Sequence, residues 1–422
     1  METKRLPAEE GTAGQEGRRR QENREVIMRD FGEKHTAPGS LPVDLEIETT
    51  SFCNARCIMC SHSYLENEGA EHLQVSLLQG ALKDLLPPCE RVELNGNGEP
   101  FLHPDIEALI RVYGESGARI GTNTNLSVLP EEVLPLIRAY FDYVTISCDG
   151  ATEDTYEHVR RGLSFPVFLS NLKRLRSACP DTPLFINAVI MQNNVSEMAE
   201  LVNLAADLKL NRVTFTHVRP NLILRNAGES MVQDPALFNR ERERALQAAE
   251  ERHIRIEVPD RIAVRKEDKA PERRTPAEAK RAYALVQEYL QAHPEEERPK
   301  ILPSDVPCTG ICDFLLTRTS IDVTGQICVC CRHPELHEEV MDGAHSFRDR
   351  WSGELFQKIR GIFYGGTLPT FCLGCALIES GQLRCLEVKD RAKFHDVPDD
   401  RKKTAEKIRA LLAKEGPGMA RR

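Results

Sequence analysis

Fourteen of the 422 residues are cysteine, and most of them are grouped. Cys53, Cys57 and Cys60 share the short segment TTSFCNARCIMCSHS. Cys308, Cys312, Cys328, Cys330 and Cys331 form a second group, and Cys372, Cys375 and Cys385 a third. Three thiolates on one short loop can ligate a single metal ion or three irons of a cubane. Structural zinc normally takes four protein ligands in a closed shell, and His62 is the nearby side chain able to complete one. Without it, a three-cysteine cubane keeps one iron with an open position, which is the arrangement of a reactive centre. Cys89, Cys148 and Cys179 stand alone and read as small buried hydrophobes. The first 25 residues, METKRLPAEEGTAGQEGRRRQENRE, contain no apolar core of a secretory signal. The cysteines are therefore read as ligands in a reducing, cytoplasmic setting rather than as a disulfide framework.

Composition narrows the class. Lys+Arg 56 against Asp+Glu 65 leaves a net charge of −9, which argues against a nucleic-acid binder held by charge. Hydrophobic residues at 41% and charged residues at 29% describe a soluble globular chain. No apolar run reaches the roughly 20 residues of a membrane span, so no membrane partner is expected. The length suits two or three domains.

The elements that must position the cysteines follow from periodicity. LEIETT, RVELNGN, ARIGTNTN, YVTISCDG, LFINAVIM and NRVTFTHV are short runs rich in β-branched residues. DIEALIRVYGESG, PEEVLPLIRAYF and VSEMAELVNLAADLKL, with apolar residues at helical spacing, lie between them. Six strands alternating with helices predict an α/β fold with a parallel sheet, its functional loops at the C-terminal strand ends. Residues 1–43 are expected to be a mobile arm or a loosely docked helix, and 44–257 the βα unit. Residues 258–305 are a charged helical linker or insert, in which Ala284, Leu285, Tyr289 and Leu290 mark one amphipathic helix. That helix reads as a solvated spacer, or alternatively as a lid or docking element. Residues 306–390 form a cysteine-rich domain, and 391–422 a terminal helix and tail.

The triad CNARCIMC, placed after the first of six such strands, resembles the radical S-adenosylmethionine (SAM) superfamily. The resemblance implies a partial (β/α)6 TIM-like barrel. It also implies a 4Fe-4S cluster on Cys53, Cys57 and Cys60 whose open iron chelates SAM and yields a 5′-deoxyadenosyl radical. Later loops are similar to the family's in the same order. Met59 would pack near the adenine, and Gly96-Asn97-Gly98-Glu99-Pro100 resembles the glycine-rich loop. There glycine allows close backbone approach and Glu99 can accept from an ammonium. Thr124-Asn125 resembles the family's Thr-Asn loop, with Thr122-Asn123 as the competing pair. Ser147 and Asp149 share one strand face, opposite Cys148, and suit a ribose diol. Arg160 resembles the arginine that reaches the SAM carboxylate, with Arg161 as the alternative.

The C-terminal cysteines resemble the domain called SPASM, or its shortened form, twitch. Cys312, Gly325, Cys330, Cys372 and Cys375 fit its pattern, and Trp351-Ser352 with Phe356 and Arg360 resembles the helix that fills the gap. IDVTGQICV reads as a hairpin turning at Gly325. The resemblance implies an auxiliary 4Fe-4S cluster on Cys312, Cys330, Cys372 and Cys375 that exchanges electrons with the substrate radical. Zinc on the same four thiolates uses the same spacing. A second assignment places Cys308, Cys312, Cys330 and Cys385 on one cluster. In the first assignment Cys385 is the candidate hydrogen-atom donor to a carbon radical.

The implied activity is hydrogen abstraction from a C–H bond, followed by dehydrogenation or epimerisation of a sugar or aminocyclitol. The alternative is a maturase acting on a ribosomal peptide or protein. A small molecule or peptide is thus the expected substrate, and a flavodoxin or ferredoxin the expected electron donor. The reading from a different class is a non-catalytic zinc or iron–sulfur electron-transfer protein.

Overall fold

The computed structural model of the chain describes residues 10–65, 67, 69–263, 273–293, 301–330, 336–338, 345–373, 375, 378, 383, 386–389 and 399–414. The six β-branched runs become β1 (Asp44–Glu48), β2 (Arg91–Asn95), β3 (Arg119–Thr124), β4 (Phe141–Ser147), β5 (Leu184–Ile190) and β6 (Arg212–His217). They pair in chain order and all in parallel. Helices lie between successive strands. In Ile106–Glu115 the buried residues are Ile106, Leu109, Ile110, Tyr113 and Gly114, which is one helical stripe laid on the sheet.

Strand β1 shows how the sheet sorts its faces. Leu45 and Ile47 are buried in the main core, while Asp44, Glu46 and Glu48 alternate with them on the other face. That second face carries polar pairs. Tyr143 on β4 donates to Glu93 on β2, and Arg212 lies 3.0 Å from Glu257. Gly121, between Glu93 and Tyr143 in the register, leaves them room: a Cβ there would fall 2.6 Å from Glu93 Oε2.

The sheet is longer than the six strands expected. The three-residue strand β7 (Arg255–Glu257) adds to β6, too short to show a period of its own. A small antiparallel sheet forms from β8 (Pro303–Gly310), β12 (Thr367–Pro369) and β13 (Leu386–Val388). Between β8 and β12, β9 (Arg318–Ile321) pairs in parallel with β1, on the edge opposite β7. The expected hairpin follows as β10 (Ile327–Cys328), with Gly325 at φ 86° in its turn, and β11 (His337–Glu338) pairs beyond it. Cysteine-rich sequence thus continues the same sheet that carries the first cysteine loop.

Two further segments pack closely. Residues Glu10–Gly32 form one helix; Arg20 Nε donates to Cys89 O at 2.8 Å, and buried Asp30 accepts from Ser40 N at 2.8 Å. The charged insert contains the helix Pro276–Ala292, opened by a capping box between Thr275 and Glu278. Its Ala282 and Val286 pack on Leu412 of the helix Asp399–Lys414, so it is a packed element rather than a solvated spacer. Among the described residues no helix is long and apolar enough to cross a membrane.

Candidate functional site

The loop carrying Cys53, Cys57 and Cys60 leaves the C-terminal end of β1, and the loops after β2, β3 and β4 close around it. After β2, Gly98 N donates to Thr50 O at 3.1 Å and Glu99 N to Phe52 O at 2.8 Å. A Cβ on Gly98 would sit 2.2 Å from Thr50 O and 2.5 Å from Phe52 O, so glycine is required by backbone packing. Gly96 takes φ 135°, and a Cβ there would strike Glu48 at 2.3 Å. Asn97 gives both its backbone N and its Nδ2 to Glu48 Oε1, at 2.7 and 2.8 Å. These residues bond the protein's own backbone and β1.

Glu99 is likewise committed. It is 2% exposed, and its carboxylate accepts from Thr124 Oγ1 at 2.5 Å and from Asn125 N at 2.6 Å. Burial raises its pKa to about 7, against the lowering effect of those bonds. Its structural work is to clamp the loop after β3. In that loop the two Thr-Asn pairs turn to different partners. Thr122 and Asn123 turn to Leu94 O and Asn95 on β2, whereas Asn125 Nδ2 reaches Asn54 Oδ1 at 3.1 Å and Cys53 Sγ at 3.9 Å.

After β4 the residues singled out for a ribose part company. Ser147 is half-buried at the strand end, level with Asn187 on β5. Asp149 is fully buried, with Oδ1 accepting from Val189 N at 2.7 Å and Oδ2 at 2.8 Å from Arg160 Nη2. Each carboxylate oxygen of Asp149 thus has one protein partner, a backbone N–H on one side and a guanidinium on the other. Arg160 ends the helix Glu153–Val159 and points its Nη1 at Cys57 Sγ, 3.8 Å away. Arg161 contributes its carbonyl, accepting from Arg56 N at 2.7 Å. Cys148 Sγ turns away, to Gly150 O at 3.2 Å.

The cysteine loop is also held from outside the strand ends, by residues with no signal in the sequence. Asn67 accepts from Cys53 N at 3.0 Å and donates to Cys53 O at 2.9 Å. Ile58 N donates to Val159 O at 2.9 Å, and Arg273, from the charged insert, donates to Ile58 O. Tyr64, just past Cys60, meets Tyr283 of the insert helix with ring centroids 5.5 Å apart. Met59 is half-buried beside Ile58, Val159, Met191 and Val218. His62 is buried in the short helix His62–Leu65, and burial lowers its pKa.

The donor set fits a cationic group. Burial pushes the Cys57 thiol up to about 12 against the pull of Arg160. Burial raises the Cys53 thiol as well, and a buried thiol of this kind is neutral until a metal deprotonates it. Among the described residues no three Cys, His, Asp or Glu side chains converge as ligands of one ion. A cubane is held differently, with one thiolate on each iron.

In the second region Cys312 begins the turn Asp313–Leu315, Cys330 follows β10, and Cys372 and Cys375 follow β12; all four are half-buried. Cys308 on β8 and Cys328 on β10 are buried. Arg360 is fully buried and donates to Leu315 O at 2.8 Å, Trp351 O at 2.7 Å and Thr36 O at 3.0 Å. Cys331 and Cys385, and with the latter the expected hydrogen donor, lie outside the described residues.

Comparison with known proteins agrees with this geometry. Residues 47–205 match the model of the radical SAM superfamily. The chain is 29% identical to the mycofactocin maturase MftC of Mycobacterium tuberculosis over 41% of this chain and 45% of that protein. It is 26% identical to the AdoMet-dependent heme synthase of Methanosarcina barkeri over 38% of this chain and 46% of that protein. The chain thus spans about half the length of the curated relatives it matches. Two solved structures share the fold. Streptococcus suis SuiB bound to S-adenosylmethionine has a TM-score of 0.54 at 17% identity, covering 85% of this chain and 75% of that one. The protein anSMEcpe with bound AdoMet has a TM-score of 0.52 at 14% identity, covering 89% and 98%. The cofactors of this superfamily are a 4Fe-4S cluster and SAM.

Proposed function

We propose, for a chain whose residues 47–205 are a radical SAM domain, that Cys53, Cys57 and Cys60 hold a 4Fe-4S cluster and that the enzyme acts on a C–H bond. When bound, the cluster and SAM supply a 5′-deoxyadenosyl radical able to abstract hydrogen from that bond. The observation that carries this reading is the gathering of three successive strand-end loops on one cysteine loop, through Glu99, Asn125 and Arg160. Arg160 meets the Cys57 sulfur, Asn125 meets the Cys53 sulfur and Glu99 N holds Phe52 O, and the half-buried Ser147 hydroxyl, with Asp149 beyond it, is proposed for the ribose side. Met59, half-buried beside Ile58 and Val159, is proposed to pack on an adenine. Cys312, Cys330, Cys372 and Cys375 are proposed to hold an auxiliary cluster.

For the substrate, the relatives favour peptide or protein modification. One is a mycofactocin maturase, and a solved neighbour is SuiB bound to its precursor peptide SuiA. A second reading, dehydrogenation or epimerisation of a sugar or aminocyclitol, is favoured by the polar inner sheet face carrying Glu46, Glu93, Tyr143 and Arg318. Hydroxyl and ammonium groups match such a face. Anaerobic reconstitution with iron and sulfide, then SAM and a reductant, is expected to give bound iron and 5′-deoxyadenosine. Failure to form 5′-deoxyadenosine overturns the enzyme reading. Faster formation with a peptide encoded beside the gene favours the maturase reading, and faster formation with an aminocyclitol panel favours the other.

A further inference from the structure

We infer that the buried Asp149–Arg160 pair sets the reduction potential of the cluster through the Cys57 sulfur, an inference that rests on the assignment of Cys57 as a cluster ligand. The three cysteines of the loop face different donors. Cys57 has a guanidinium, with Arg160 Nη1 at 3.8 Å; Cys53 has a neutral amide, with Asn125 Nδ2 at 3.9 Å; Cys60 has the Ser61 hydroxyl at 4.0 Å. A guanidinium therefore donates directly to one sulfur, and neutral groups stand at the other two; Arg56 and Glu99, whose charges also reach Cys53, bond the Cys53 carbonyl and the loop after β3 rather than a sulfur. Cys57 and Arg160 are 8% and 7% exposed, so solvent screens this charge little.

Asp149 supplies the counterweight and the aim. Its Oδ1 is fixed by Val189 N at 2.7 Å and its carbonyl by Asn194 Nδ2 at 2.9 Å, so the carboxylate is anchored to β5 and the loop beyond it. Oδ2 then holds Arg160 Nη2 at 2.8 Å, which leaves Nη1 directed at the sulfur. Reduction adds negative charge to a cluster, and cations and N–H donors at its sulfurs favour the reduced form. Arg160 thus raises the potential and Asp149 partly offsets it. Both are positioning residues, Asp149 acting through Arg160 and Arg160 through Cys57. Tyr156 and Cys148 beside Arg160 are buried and neutral at physiological pH, and Glu99, which also feels the Arg160 charge, is held by Thr124 and Asn125 and is the same in every variant compared.

The arrangement makes two predictions of opposite sign. Arg160→Gln removes the cation and moves the potential to more negative values, while Arg160→Lys keeps the charge and recovers most of the shift. Asp149→Asn, nearly isosteric, frees the cation from its counter-charge and moves the potential to less negative values. The measurement is a potentiometric titration of the anaerobically reconstituted full-length protein, read on the electron paramagnetic resonance component that changes when SAM is added. Should Arg160→Gln fail to fold, Arg160→Lys and Asp149→Asn still carry the test. Unchanged potentials, or shifts of the same sign in Arg160→Gln and Asp149→Asn, overturn the inference. Wild-type protein that takes up no SAM-responsive cluster overturns the underlying assignment instead, and iron content with the SAM response distinguishes the two failures.

Discussion

The two cysteine regions are built on opposite plans. Cys53, Cys57 and Cys60 lie on one loop, and the loops that support it follow three consecutive parallel strands. The second set is drawn from Cys312, Cys330, Cys372 and Cys375, whose places depend on β9 joining β1, on the β8–β12 pairing and on Arg360. Neighbouring βα units bring their loop ends together as a by-product of sheet formation. Distant segments must first close long loops, at an entropic cost that only tertiary contacts offset. The first region is therefore expected to bind its ligand as a local property of the barrel, and the second to depend on the integrity of the whole chain.

The strongest way to break that contrast is to remove one thiol from each region. Cys57→Ser is expected to reduce 5′-deoxyadenosine formation to background. Cys375→Ser should leave SAM cleavage measurable while losing about half of the bound iron, if each region holds one cluster of equal size. Equal loss of SAM cleavage in both variants would merge the two regions into one functional unit.

Arg360→Ala comes next. It strips three buried carbonyls, those of Leu315, Trp351 and Thr36, of their shared donor. The cost is expected to be roughly 3–5 kcal/mol by denaturant titration, with loss of iron from the second region before the first. A loss below about 1 kcal/mol would remove Arg360 from the account of how that region is held.

Glu99 tests the first region through pH. Burial holds its carboxyl at about 7 against an ordinary value of 4.5, so the folded state binds the proton more tightly than the unfolded one. Its contribution to stability is complete below pH 4.5 and is lost as pH rises through about 7. The loss amounts to about 3 kcal/mol at most. Glu99→Gln should flatten the pH dependence of the apoprotein's melting temperature across that window, and an unchanged slope would show that another group sets it.

The smallest effect is expected from Arg273→Ala, which removes one donor from Ile58 O. A loss of about 1 kcal/mol or less is anticipated, with slower cluster uptake on reconstitution. Uptake indistinguishable from wild type would confine the insert to packing on the helix Asp399–Lys414.

Legibility in the sequence followed the range of the interaction. The six strands were readable because each is a compact run of β-branched residues flanked by helical periodicity. Strand β7 was not, being three residues with a charge at each end, Arg255 and Glu257. The edge taken by β9 was not readable either, because the IDVTGQICV hairpin shows that two strands pair but not what the outer one joins. Asn125, Arg160 and the glycine loop lie beside the cysteine loop, where their order along the strands sets them. That order did not show that Gly98 is required by the carbonyls of Thr50 and Phe52, or that the insert would reach back to Ile58.

The amino-acid sequence by itself determined the cysteine spacing, the order of the strands and hence which loops meet at the C-terminal edge of the sheet. These follow from short-range periodicity and from the way parallel strands stack in chain order. Only the tertiary structure decided what the polar residues on those loops do. Glu99 and Asp149 satisfy buried N–H groups and a buried guanidinium. A carboxylate removed from water takes whatever donors the folded register places within about 3 Å, and the register is set by the whole sheet rather than by neighbours in the chain.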